Sequence, residues 1–232
     1  MSVLIFIDTA EGHVKKASLE AITYGAKVAE QLGTTAEGIV LGAVQDDLAA
    51  LGKYGVKKMH HVNHESLNHQ DAQLFTKVIA EAATASGATV IVFSNNLSGK
   101  AIAPRLSVRL KAGLVSGAVA LPDASGGFVV KKNVFSGKAF ANISVNTGIK
   151  IIALNPNAYQ TIAGEGAAEV VPFAATVDAP KVKLVSVSKA SGEVPLTEAE
   201  IVVSAGRGMK GPENWGIVEE LAKTLHAATA CS

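Results

Sequence analysis

The strongest chemical signal in this 232-residue sequence is the run Gly206-Arg207-Gly208-Met209-Lys210-Gly211. Its spacing is G-x-G-x-x-G. Glycines so placed permit a tight turn and let backbone N–H groups approach a pyrophosphate, and a helix start behind them favours an anion. The run follows a strand-like segment and opens a helical one, the context the fingerprint requires. Its usual confirmation is an acidic residue on the next strand, about twenty residues on. The sequence ends before that strand is established. The competing reading of Gly206 and Gly208 is a purely structural turn. Arg207 has no packing role inside a glycine turn, which makes it a candidate ligand contact; the competing reading is a solvated loop arginine.

Other chemistry-bearing residues are weaker. Ser98-Gly99-Lys100 hints at a phosphate loop, but Ser94 stands where that loop needs glycine and Ala101 where it needs Ser or Thr. His60, His61, His64 and His69 lie close together in the chain. His60 and His61 point to opposite faces of a strand, and the spacing suits no common metal set. They read as surface and loop histidines. Cys231 has no evident activating partner. Asp46-Asp47 and Glu219-Glu220 read as solvated helix positions.

The elements that must position these residues follow from periodicity. Strand-like runs at 3–7, 39–41, 57–62 and 89–93 predict strands, and helical spacing at 17–32, 71–85 and 98–111 predicts helices between them. Pro104 lies inside the last, so that helix is expected to start near Ala103 or to bend there. A short helical piece is expected at 46–51. The order implies a mostly parallel sheet with helices on both faces. Strand-like runs at 114–121, 127–134, 139–145 and 150–154 should extend or edge that sheet, with a hairpin through Ser136-Gly137-Lys138. Further strands are expected at 169–173 and 183–187. The polar stretch 190–198 reads as a linker. Beyond it come a strand at 200–204, the Gly-rich turn, and a helix over 212–226 with Trp215, Val218, Leu221 and Leu225 on its core face. The expected organisation is therefore a three-layer α/β domain at 1–189, the linker, and at 199–232 the incomplete start of a second domain: the first βα unit of a Rossmann-like fold.

Composition bounds the rest. A hydrophobic fraction of 48% suffices for a large core, and aromatics make up only 5%. Net charge is +1, from 21 basic and 20 acidic residues. No basic stripe argues for nucleic acid, and no apolar run reaches the roughly 18 residues that cross a bilayer. One cysteine permits no intrachain disulfide. With no targeting segment evident, a cytoplasmic protein is expected.

Val202-Val203-Ser204-Ala205-Gly206-Arg207-Gly208, followed by Glu213-Asn214-Trp215 and Leu221-Ala222, resembles the opening of the flavin domain in electron-transfer flavoprotein α subunits. The family usually shows Gly where Ala205 stands and Phe where Trp215 stands. Pro195-Leu196-Thr197-Glu198-Ala199 is similar to the family's lead-in, and residues 3–8 with Gly99-Lys100 and Pro104-Arg105-Leu106 resemble its N-terminal α/β domain more loosely. The resemblance implies an electron carrier rather than an enzyme. It implies one FAD held by the C-terminal domain, with Arg207 beside the isoalloxazine ring, Gly206 and Gly208 in the turn, and Ser232 at the start of the next flavin contact. It further implies a heterodimer with a β subunit, taking electrons from flavin dehydrogenases such as acyl-CoA dehydrogenases of fatty acid β-oxidation and passing them to a quinone reductase. Later flavin-binding signatures of the family are absent from this sequence. Two other functions stay open: a nicotinamide-dependent oxidoreductase built on the turn at 206–211, and a non-catalytic scaffold subunit that docks a partner.

Overall fold

The computed structural model describes residues 1–187, 196 and 199–231. It divides into two compact units, Met1–Lys183 and Leu184–Ser232. Apart from Leu196, the expected linker at 190–198 lies outside the described residues, as does Ser232.

The first unit is a three-layer α/β structure around a nine-stranded sheet. In chain order it contains β1 (Ser2–Ile7), a small hairpin of β2 (Thr9–Ala10) and β3 (His13–Val14), α1 (Lys16–Gln31), β4 (Thr35–Leu41), β5 (Lys58–Val62), α2 (Ala72–Ala85), β6 (Ala88–Ser94) and α3 (Leu97–Leu110). Then follow β7 (Gly113–Ala118), β8 (Val129–Val134), β9 (Ala139–Ser144), β10 (Lys150–Leu154) and β11 (Glu169–Pro172). The sheet order is β11-β5-β4-β1-β6-β10-β7-β8-β9. Pairing is parallel from β11 to β7 and antiparallel through β8 and β9.

Side-chain alternation explains the layers. Val3, Ile5 and Ile7 of β1, with Val90 and Val92 of β6 and Ile152 and Leu154 of β10, pack with Ile22, Tyr24 and Val28 of α1. The intervening Leu4, Phe6, Ile91, Phe93 and Ile151 pack with Val78 and Ile79 of α2 and Ile102 and Leu106 of α3. A strand buried on both faces reads as a continuous apolar run, and every residue of β1 is buried.

Several expectations are corrected. Strand β10 does not extend the edge; it lies between β6 and β7, parallel to both. Helix α3 begins at Leu97, not near Ala103. The Asn96 side chain accepts from Gly99 N at 2.9 Å and so caps the helix about two turns before Pro104. Pro104 and Lys100 are both exposed, so the Lys100 carbonyl that loses its donor faces water. The short helical piece is a 3₁₀ turn at Ala49–Tyr54. Residues 183–187 form no strand, and Val185 is 91% exposed. An apolar alternating run without a sheet edge to pair with gains no ladder.

The second unit is a βαβ element. Strand β12 (Val202–Ala205) leads through two 3₁₀ turns, Arg207–Met209 and Pro212–Asn214, into α4 (Gly216–Thr224) and then β13 (Ala228–Cys231). The strands pair in parallel, Val202 with Ala228 through Ala205 with Cys231. The strand after the helix is thus present, one element more than the βα unit expected. Val218 and Ala222 of α4 are buried, while Leu221 is 50% and Leu225 44% exposed, so the core face is narrower than the periodicity suggested.

Candidate functional site

The site grows from the end of β12. Gly206 continues extended, at φ −136° and ψ −154°. The chain then tightens: Met209 N donates to Gly206 O at 3.0 Å and Lys210 N to Arg207 O at 3.0 Å. As the first two residues of a 3₁₀ turn, Arg207 and Gly208 have amides with no acceptor inside that turn. Lys210 adopts φ 67° and ψ −43°, and Gly211 N closes a γ-turn onto Met209 O at 2.8 Å. Pro212 starts the second 3₁₀ turn, where a missing N–H is harmless. Trp215 then leads into α4.

The glycines serve different purposes. A Cβ at Gly208 would meet nothing within 4 Å. A Cβ at Gly211 would lie 2.3 Å from both carboxylate oxygens of Glu213. The turn and the carboxyl ends of both strands line an open cleft of about 580 Å³. Arg207 and Lys210 give it positive charge, Met209 and Trp215 an apolar wall, and Thr229 and Cys231 its floor. Arg207 and Lys210 are exposed, and neither forms an ion pair among the described residues. Two cations and two amides without partners among the described residues, set around open space, suit a polyanionic ligand with a flat apolar portion, so these residues fit a phosphate-bearing dinucleotide.

The structure thus brings Gly206, Arg207 and Gly208 together at one cleft. The geometry departs from the Rossmann fingerprint in one respect. The motif does not open the helix; α4 starts at Gly216, because the γ-turn at Lys210 and the Pro212 turn intervene. Among the described residues, β13 carries Ala228, Thr229, Ala230 and Cys231. The contribution of β13 was missed from sequence because small residues give little strand signal. The positive φ at Lys210 had no sequence signal beyond the glycines around it.

Elsewhere the candidate residues are committed internally. His60 Nε2 lies 2.7 Å from Glu37 Oε2, His61 Nε2 lies 2.8 Å from Gly42 O, and His64 caps Ser66 N. No group of three or more potential metal ligands occurs among the described residues. Cys231 is a free, exposed thiol.

Comparison with known proteins agrees with this division. Residues 3–179 match the electron transfer flavoprotein domain, and residues 195–232 match the electron transfer flavoprotein FAD-binding domain. The chain is 27% identical to the electron transfer flavoprotein subunit alpha of Bacillus subtilis, over 99% of this chain and 71% of the relative. It is 29% identical to the corresponding subunit of Mycobacterium leprae, with the same shares of each chain covered. It is 26% identical to protein FixB of Clostridium saccharobutylicum, again over 99% of this chain and 71% of that protein.

The matches over residues 3–179 and 195–232 define the class as an electron-transfer flavoprotein. The chain belongs to the electron transfer flavoprotein family, and its relatives place it with the α subunits.

Proposed function

We propose that this chain binds FAD in the cleft after β12 and works as the α half of a heterodimeric electron carrier. Its electrons come from flavin dehydrogenases, acyl-CoA dehydrogenases among them, and pass to a quinone reductase in the cytoplasm. Residues 199–232 are read as the opening of the FAD domain. The observation that carries the reading is the pairing of uncommitted Arg207 with the open space at Gly208, inside the segment that matches the FAD-binding domain. Gly206 and Gly208 leave room for the cofactor's phosphates, and Ser232 is assigned to the next contact. The bound flavin supplies the redox chemistry. Arg207 supplies a fixed positive charge that favours its reduced, anionic form. No helix among the described residues is long and apolar enough to cross a membrane.

The test is titration of the purified chain with FAD, alone and with a β subunit, followed by visible absorbance. Stoichiometric flavin uptake that excess NADH does not displace is expected. NADH displacing the flavin would revive the nicotinamide reading and sink this one.

One observation favours a second, compatible reading of the first unit as a docking scaffold. The β8–β9 hairpin exposes Phe135 at 80% and Phe140 at 61%, and Lys131 Nζ sits 4.4 Å from the Phe140 ring centroid. Exposed aromatics on an edge hairpin are surface that a partner subunit would cover. Phe140→Asp should reduce co-purification of the β subunit and leave the fold unchanged by circular dichroism.

A further inference from the structure

Lys210 holds a backbone conformation that side-chain-bearing residues seldom adopt, at φ 67° and ψ −43°. Such a conformation persists only when its surroundings hold it. Here the restraint converges on one atom. The Met209 carbonyl accepts from Gly211 N at 2.8 Å, and it accepts a second time from Asn214 Nδ2 at 2.8 Å. The other end of the same peptide is also tied, since Lys210 N donates to Arg207 O at 3.0 Å. One peptide plane therefore links the Asn214 amide to the Arg207 backbone. The Asn214 side chain itself is exposed and contributes nothing to the core.

From this geometry we infer that Asn214 is a positioning residue: it locks the Met209–Lys210 peptide and so presets the turn that presents Arg207 to a bound flavin. The inference rests on the flavin reading above. It adds a residue that touches no ligand-facing atom and acts through the Met209 carbonyl. Only a side chain with an N–H or O–H at that reach can serve. Asn supplies it in a short, stiff form with little rotamer freedom to lose. The Glu213 carboxylate lies against Gly211, where a Cβ would meet it at 2.3 Å.

The experiment compares wild type, Asn214→Ala and Asn214→Gln as full chains with the β subunit. Three quantities are read: amide hydrogen exchange at Lys210 and Gly211 without flavin, FAD affinity, and the midpoint potential of the bound flavin. Asn214→Ala should speed both exchange rates and weaken FAD binding roughly tenfold. It should move the potential in the same direction as Arg207→Ala, by less. Asn214→Gln, which keeps the donor, should recover part of each change. Melting temperature should hold in all three, because the side chain is exposed. Unchanged exchange in Asn214→Ala would show that the clamp does not hold the turn. Faster exchange with unchanged FAD affinity and potential would reduce Asn214 to a local structural role. Either result overturns the assignment while the wild type still binds FAD. A wild-type complex that takes up no FAD overturns the flavin reading, and the assignment with it.

Discussion

Two glycines near strand-to-helix junctions, each with a cation close by, have opposite surroundings. In the first turn of α3, Gly99 sits so tightly that a Cβ there would lie 1.9 Å from Ser94 O of β6. Close by, just after β1, buried Asp8 pairs with Lys15 Nζ at 2.9 Å, and Asn96 Nδ2 donates to the same carboxylate oxygen at 2.8 Å. After β12, Gly208 faces open space and Arg207 has no carboxylate partner among the described residues. Gly99 is required by its close approach to the β6 backbone, whereas Gly208, like Gly33, Gly87 and Gly126, has room around it. The same contrast holds for charge. Lys15 is neutralised within the fold, while Arg207 remains available.

The comparison is broken most directly by exchanging the glycines' consequences. Gly99→Ala should cost about 3 kcal/mol in denaturant unfolding, the upper end of overpacking effects, because the obstructing atom is backbone. Gly208→Ala should stay within about 0.5 kcal/mol of wild type. Equal losses would mean that the open space at Gly208 is not real.

A smaller effect tests the charges. Arg207→Ala should lower the midpoint potential of the bound flavin by on the order of 100 mV. That corresponds to one cation acting through an effective dielectric of about 20, with about 1.4 kcal/mol for each 59 mV of a one-electron couple. Lys15→Met, in the other crevice, should leave the potential unchanged. A spectroelectrochemical titration separates the two, and an unmoved potential in Arg207→Ala removes that residue from the proposed site.

The smallest effect concerns the first unit's habit of committing its polar groups internally. Glu20 is buried in α1 and accepts from Asn157 N at 2.8 Å. Burial raises its carboxyl above the usual range, against the opposing pull of the Asn157 hydrogen bond and Lys16. Between its ordinary value, about pH 4.3, and its raised one, the folded state binds more protons than the unfolded state. Stability from this group is therefore present below the ordinary value and falls as pH rises through that window. Glu20→Gln keeps an acceptor for Asn157 and should flatten that part of the stability–pH curve. A curve that keeps its slope would place the titration elsewhere.

Much of this was legible from residue types alone. The run at 3–7, apolar at every position, announced a strand covered on both faces. Gly206, Arg207 and Gly208 announced a ligand turn. Less legible were features that depend on distant partners. The run at 150–154 reads the same whether it ends a sheet or enters its middle, and only pairing with β6 and β7 places it inside. The run at 183–187 is as strand-like as others that do pair, yet it finds no edge. Trp215, Leu221 and Leu225 share a helical stripe, but a two-stranded sheet is too narrow to bury it.

The ligand turn at 206–211 shows the same limit. By itself the sequence determined that glycines and a cation stand at G-x-G-x-x-G spacing behind a strand, because backbone freedom and charge are properties of single residues. It did not determine that the helix waits until Gly216, that Lys210 takes a positive φ, or that Asn214 reaches back to the Met209 carbonyl. Those outcomes belong to tertiary structure. They arise where a hydrogen bond between residues five apart outweighs local backbone preference, and where β13 supplies the second wall of the cleft.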